Sequence, residues 1–207
     1  MALVKYNNNS ISSVTSAASF PSGDGVLIKT LTASGSSTLS FVHGTSDVVL
    51  NDSYPIYFFK FINIHPSGNN RFQVNFSADT GSNYNASKTT TVWIAANNEA
   101  DSDATLTKQN SDDLSASTSF QDLMAYGNQD SDDDHSLNGT LHLFNPSSTT
   151  FWKNFMSRSQ GNIDTNYSTQ TFVSGQLRTT SAIDGVRFQM NSGTFDGTIK
   201  LYGLKDS

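Results

Sequence analysis

The sequence predicts an all-β sandwich. Ser, Thr and Asn fill most polar positions and Glu99 is the only glutamate. Ser, Thr and Asn compete with the helical backbone for hydrogen bonds and favour strands, turns and caps. Fourteen Phe and seven Tyr supply ring bulk that packs well on a pleated sheet. Short alternating apolar and polar runs recur between clusters of Gly, Pro, Asn and Ser.

Residues 1–25 are rich in Ser, Asn and Ala, with Ile11, Val14 and Phe20 spaced among them. They read as an extended N-terminal arm ending at the Pro21-Ser22-Gly23-Asp24-Gly25 turn. The spaced apolar residues favour an arm that docks over a free tail. Residues 26–207 read as one domain. Residues 26–31 and 38–42 are short strands around Ala33-Ser34-Gly35-Ser36. Pro55 opens the most apolar segment, 56–64, at a position where no ladder donor is lost. With nearly every position apolar, this reads as a central strand covered on both faces. His65-Pro66-Ser67-Gly68 is its closing turn.

Residues 71–76 alternate, with Phe72, Val74 and Phe76 inward. After the turn at 80–83, residues 90–96 form a strand around Val92, Trp93 and Ile94. Residues 97–119 read as a long polar loop. Residues 120–126 make a short helical turn or a strand, and 130–135 another loop. Residues 137–144 are a strand with Leu137, Leu141 and Leu143 on one side. Asn145-Pro146-Ser147-Ser148 is a turn, 151–156 a strand ending before Gly161-Asn162, and 169–175 the next strand. The end of the chain is the most regular part. Val186, Phe188 and Met190 alternate with polar residues, and Ile199 and Leu201 resume the pattern after Gly197. This reads as a β-hairpin or bulged pair closing a sheet. Eight to ten strands at this spacing suit a sandwich or jelly roll.

At 207 residues the chain is long enough for one good core. The net charge is -6 and the basic residues are scattered, which argues against nucleic acid and against anionic membrane surfaces. No cysteine is present, which removes disulfides, thiolate metal sites and cysteine nucleophiles. No apolar run approaches the roughly 20 residues needed to cross a membrane. The start of the chain lacks the features of a signal peptide, so synthesis in the cytoplasm without processing is expected.

Candidate chemistry is sparse. Asp130, Asp132 and Asp134 have the alternate spacing of the first half of a calcium loop. His135 stands where that loop needs glycine, and Leu141 where it needs glutamate, so an EF-hand is excluded. A solvated acidic loop is the preferred reading, with a looser Ca²⁺ or Mg²⁺ site as the alternative. His43, His65, His135 and His142 lack the helical i, i+4 spacing of a zinc pair. No nucleophile elbow, phosphate loop or metalloprotease motif is present. No cofactor, catalytic residue or enzyme activity is expected. Trp93, Trp152, Tyr126 and Tyr167 would stack on sugars if exposed, and otherwise pack in the core or between subunits.

Several phrases carry a resemblance. Tyr54-Pro55-Ile56-Tyr57 runs on to Phe61-Ile62-Asn63-Ile64-His65-Pro66, followed by Lys88-Thr89-Thr90-Thr91. His142-Leu143-Phe144-Asn145-Pro146-Ser147-Ser148-Thr149-Thr150 comes next. Thr180-Ser181-Ala182-Ile183-Asp184 precedes Gly197-Thr198-Ile199-Lys200-Leu201-Tyr202-Gly203. The chain thereby resembles virion structural proteins of tailed phages of marine bacteria, cyanophages among them. The resemblance implies a jelly-roll-like, non-enzymatic domain on the outside of a phage particle, as a head decoration or cement protein or as a tail-fibre or appendage subunit. The implied partners are further copies of itself, as a homotrimer, and other capsid or tail proteins. A host surface glycan is the alternative partner. Ile11, Val14 and Phe20 would anchor the docking arm.

Overall fold

The computed structural model describes residues 25–205. Twelve strands are present and no helix, all among those residues. They are β1 (Val26–Ser36), β2 (Thr38–Val42), β3 (Ile56–Pro66), β4 (Phe72–Ser77), β5 (Lys88–Asn98) and β6 (Ala104–Lys108). The series continues with β7 (Gln121–Asp122), β8 (Leu137–Phe144), β9 (Lys153–Ile163), β10 (Tyr167–Leu177), β11 (Gly185–Met190) and β12 (Phe195–Leu204). Eight form one sheet in the order β1-β12-β3-β8-β9-β10-β5-β6. Four form a second in the order β2-β11-β4-β7. Every strand pairing is antiparallel. The all-β sandwich is therefore present. The arm residues Ile11, Val14 and Phe20 lie outside the described residues.

Period-two alternation builds the core. Tyr57, Phe59 and Phe61 of β3, Leu141 and Leu143 of β8, and Ile199 and Leu201 of β12 turn inward and are buried. The small sheet answers with Phe72, Val74 and Phe76 of β4, Phe188 of β11 and Phe41 of β2. Phe188 is the hub: its ring centroid is 5.2 Å from Phe59, 5.2 Å from Phe61 and 5.8 Å from Phe72. Burying each such ring stabilises by about 1.5–3 kcal/mol, and the edge-on pairs add geometric preference.

A bulge sets the inward pattern of β3. Asn63 has φ 50° and faces Gly197 of β12, whose φ is 131°. The register with β8 shifts between Phe61 and Ile64, so Ile62 and Asn63 both turn outward and Ile64 returns to the core. A side chain on Gly197 would come within 2.6 Å of the Asn63 carbonyl oxygen. Glycine is the residue that admits both the positive φ and the close approach.

Several elements depart from the sequence reading. The closing segments are not a hairpin: β11 pairs with β2 and β4, β12 with β1 and β3, and the chain crosses between sheets at 191–194. Both strands carry inward rings or branched side chains, and facing them across the core buries more than pairing them side by side. Strands β1 and β2 likewise belong to different sheets, and β1 runs through Ala33-Ser34-Gly35 without turning. His65 lies within β3 rather than in a turn. On the outer face of β3, Phe58 is only 6 % exposed, and among the described residues no second layer covers it: Tyr202 and His142 stack beside it, at 4.8 and 5.6 Å.

The segment 97–119 contains an edge strand, β6, paired with β5 from Trp93 to Asn97. Strand β9 continues past Met156 to Ile163, and its inward residues include Ser157, Ser159 and Gly161. Ser157 Oγ donates to the Thr140 carbonyl of β8 at 2.9 Å, and the irregular segment 121–130 lies against the neighbouring β10. Backbone groups there need partners: the Ala125 N–H donates to Thr171 Oγ1 at 3.1 Å. An apolar alternation rule does not find such a strand.

Candidate functional site

The acidic loop is more ordered than a solvated run. Asp130 is 6 % exposed, and its Oδ2 lies 3.1 Å from His135 Nδ1. The Asp132 N–H donates to Asp130 Oδ1 at 3.1 Å, and the Asp130 N–H donates to the Asn162 carbonyl at 3.0 Å. Asn162 Nδ2 lies 3.2 Å from His135 Nε2. His65 Nδ1 is 2.8 Å from the His135 carbonyl oxygen, so the loop is fastened to β3 as well as to β9. The expectation of a solvated loop is thus corrected for Asp130 and holds for Asp132, Asp133 and Asp134, which are exposed. Asp130, Asp132 and His135 place one ligand atom each within 4.8 Å of one another. The third member is His135 rather than Asp134, whose Oδ1 is 3.8 Å from His135 Nε2. Hydrogen bonds of Asp130, Asp132 and the His135 carbonyl clasp the loop, while buried His135 Nδ1, beside Asp130 Oδ2, makes no hydrogen bond.

The other two histidines, His43 and His142, stand apart from this loop. His43 Nδ1 accepts from the Leu50 N–H at 3.2 Å. His142 points outward from β8 between Phe58 and Phe144, and burial pushes its pKa down. Tyr126 and Tyr167 meet edge to face at 5.7 Å. Tyr167 donates to Asp103 Oδ2 at 2.8 Å, which raises the pKa of its phenol.

Two buried lysines escape a reading by residue type. Lys88 begins β5 and is fully buried. Its ammonium donates to Asn75 Oδ1 at 2.8 Å, the Ala86 carbonyl at 3.1 Å and the Ser119 carbonyl at 2.6 Å. Burial pushes its pKa down to about 8. Lys153 begins β9, is 1 % exposed, and donates to the Thr179 and Ser181 carbonyls at 3.3 and 2.6 Å. Burial lowers its pKa too. Both close the interior at one end of the large sheet. The available signal was parity: each stands an even number of positions from an inward residue, Val92 and Phe155.

The outer face of the large sheet carries exposed aromatic side chains. Trp93 is 49 % exposed and Trp152 is 43 % exposed, so neither serves the core. Trp93 of β5 pairs with Phe172 of β10, which pairs with Arg158 of β9. The Arg158 guanidinium lies 5.5 Å from the Phe172 ring centre, and the Arg178 guanidinium 5.6 Å from the Trp152 ring. Between these two ends lies a shallow hollow of about 440 Å³, with Thr89, Thr91, Asn154, Met156, Ser174 and Gln176 at its surface. On the other half of the same face Lys60 Nζ lies over the rings of Phe58 and Tyr202, at 5.5 and 5.1 Å. Comparisons with protein families, with curated proteins and with solved structures find no match to this chain.

Proposed function

We propose that this chain is a non-enzymatic building block on the exterior of a tailed-phage particle, either a capsid decoration or cement protein or a tail-fibre or appendage subunit. The observation that supports it best is strand order. The run β1-β12-β3-β8 faces the run β2-β11-β4-β7, and successive strands alternate between the two except at β4 and β7, which pair within the second. Relabelled in chain order, these eight strands follow the two-sheet succession of a jelly roll, an architecture used in viral capsid and lectin domains. Strands β5 and β6 are inserted before β7, and β9 and β10 before β11; together they extend one sheet from four strands to eight.

The assembly we propose is a closed homotrimer, with the arm carrying Ile11, Val14 and Phe20 docking on the particle and the mature chain residing in the virion. Exposed Val26, Leu27, Phe151 and Leu106 supply apolar contact surface at the rims of the sheet. Light scattering on the full chain and on a chain lacking residues 1–25, followed by a particle-incorporation assay, tests the reading. The full chain is expected to be trimeric and to enter particles, and the truncated chain to fail in incorporation. A monomeric full chain, or unchanged incorporation after truncation, overturns the corresponding part.

A second reading, glycan recognition, is favoured by the exposure of both tryptophans beside the hollow.

A further inference from the structure

We infer that the outer face of β5, β10 and β9 is a binding site for an anionic polysaccharide. The site is built by side-chain parity. The row Trp93–Phe172–Arg158 bounds one side. Two rows without rings follow, Thr91–Ser174–Met156 and Thr89–Gln176–Asn154. The Arg178–Trp152 pair stands one outward position further along, where the Arg178 N–H still donates to the Ser87 carbonyl at 2.7 Å. The hollow exists because five of its six side chains are hydroxyls or amides of small or moderate reach between rows of rings.

Its dimensions suit a chain. From Phe172 to Arg178 is six residues of strand, about 20 Å at the usual rise. That length accommodates several sugar units and leaves a ring-and-guanidinium pair at each end. Hydroxyl and amide side chains hydrogen-bond sugar hydroxyls in either direction. Half-exposed tryptophan rings offer flat apolar faces to the C–H side of a pyranose.

Charge selects the ligand class. The chain carries 18 acidic residues, yet β3, β5, β8, β9 and β10 contain none of them. Arg158 and Arg178 stand at the two ends of the hollow, and among the described residues neither meets a carboxylate. A guanidinium stacked on a ring keeps its planar edge available for a sulfate or carboxylate. An acidic protein that gathers cations on one face thus complements an acidic polymer there. Nucleic acid is disfavoured, because two arginines neutralise too few phosphates for a net charge of -6. The inference goes beyond the assembly reading and does not depend on it, since a chain that fails to assemble still presents this face.

Affinity electrophoresis of the full chain tests it, in gels containing a sulfated galactan, alginate, dextran or duplex DNA. The sulfated galactan or alginate is expected to retard the protein, and dextran and DNA are not. Trp93→Ala, Arg178→Ala and the hollow-filling Ser174→Trp are each expected to weaken retardation about tenfold, equivalent to about 1.4 kcal/mol. Lys200→Ala, three strands away from β9, is expected to leave it unchanged. These are surface positions, and circular dichroism of each variant confirms the fold. The inference is overturned if neither acidic polysaccharide retards the protein, or if dextran or DNA does so equally. It is also overturned if the variants behave like the parent, or if they change oligomeric state while binding is unchanged, which would make this face a contact between copies.

Discussion

Lys88 and Lys153 lie on one inward row of the large sheet, each paired with Leu177 of β10 from opposite sides. Each ammonium reaches past the apolar layer to backbone carbonyls of a different segment, 86 and 119 for Lys88, 179 and 181 for Lys153. The row therefore closes one end of the sandwich with hydrogen bonds where, among the described residues, no further apolar strand covers it.

Replacing Lys88 with methionine keeps the length and removes the donors. A buried ion is costly, so deleting it brings some gain. The carbonyls of Ala86 and Ser119 remain in place, however, and lose their partner. We expect the loss to prevail, at about 2–4 kcal/mol of destabilisation, because each buried unsatisfied acceptor costs about 1–3 kcal/mol. Denaturant unfolding of parent and variant measures this; equal or greater stability for Lys88→Met would refute the clasp.

The same lysine gives a pH signature. Its folded pKa is about 8, below the ordinary 10.5. Between those values the unfolded chain binds more protons at this position than the folded one, so the contribution to stability rises with pH. Below about pH 8 both states are protonated and the penalty is complete and constant. The parent should therefore gain stability relative to Lys88→Met between pH 8 and 10, by an amount approaching the roughly 3 kcal/mol that such a shift represents, read as a rise in melting temperature. Parallel melting curves for the two proteins across that range would remove burial of the charge as the cause.

Gly175 tests the packing of the β9–β10 ladder. A methyl placed there would lie 2.1 Å from the Phe155 ring, which fills the space opposite Gly175. Gly175→Ala is expected to destabilise by about 1–3 kcal/mol through overpacking. The double variant with Phe155→Leu should recover part of that loss, which a double-mutant cycle reads as coupling. Additive effects would mean that the two positions do not compete for the same volume.

How much of this was legible follows from where each strand finds its partner layer. Strands facing apolar neighbours announced themselves: Phe72, Val74 and Phe76 alternate as read, and so do Leu141 and Leu143. Strands β6 and the second half of β9 did not. Leu106 is exposed on an edge, while Ser157 and Ser159 are buried but small and polar, so neither shows an apolar stripe. Connectivity was hidden for another reason. The spacing of β11 and β12 fits a hairpin and a sheet-to-sheet crossing alike, and only the facing of Phe188 against the large sheet decides. The two tryptophans were legible as residues, but the hollow between them arises from cross-strand rows that sequence order scatters over 89–178.

Arg71 supplies a test of the segment that covers the inserted strands. One guanidinium nitrogen, Nη1, donates to Asp112 Oδ1 at 2.7 Å and to Asp122 Oδ2 at 2.9 Å, and Gln73 Nε2 donates to Asp122 Oδ1 at 2.6 Å. Burial opposes the charge on Arg71, and the carboxylates of Asp122 and Asp112 outweigh it and raise its pKa. The clamp joins the start of β4 to both ends of the 112–122 stretch. Side-chain exposure is 29 % for Arg71 but 5 % for Asp112, so solvent screens one partner and not the other. Arg71→Met thus leaves Asp112 as a nearly buried, unpaired carboxylate, with an expected cost of about 1–3 kcal/mol after allowance for that screening. The loss should be local. Amide hydrogen exchange is expected to accelerate across 112–122 while β3 and β12, held by the Phe188 cluster, keep the parent rate. Uniform acceleration over the whole chain, or none at 112–122, would show that the segment is held by its backbone bonds to β5 rather than by this ion pair.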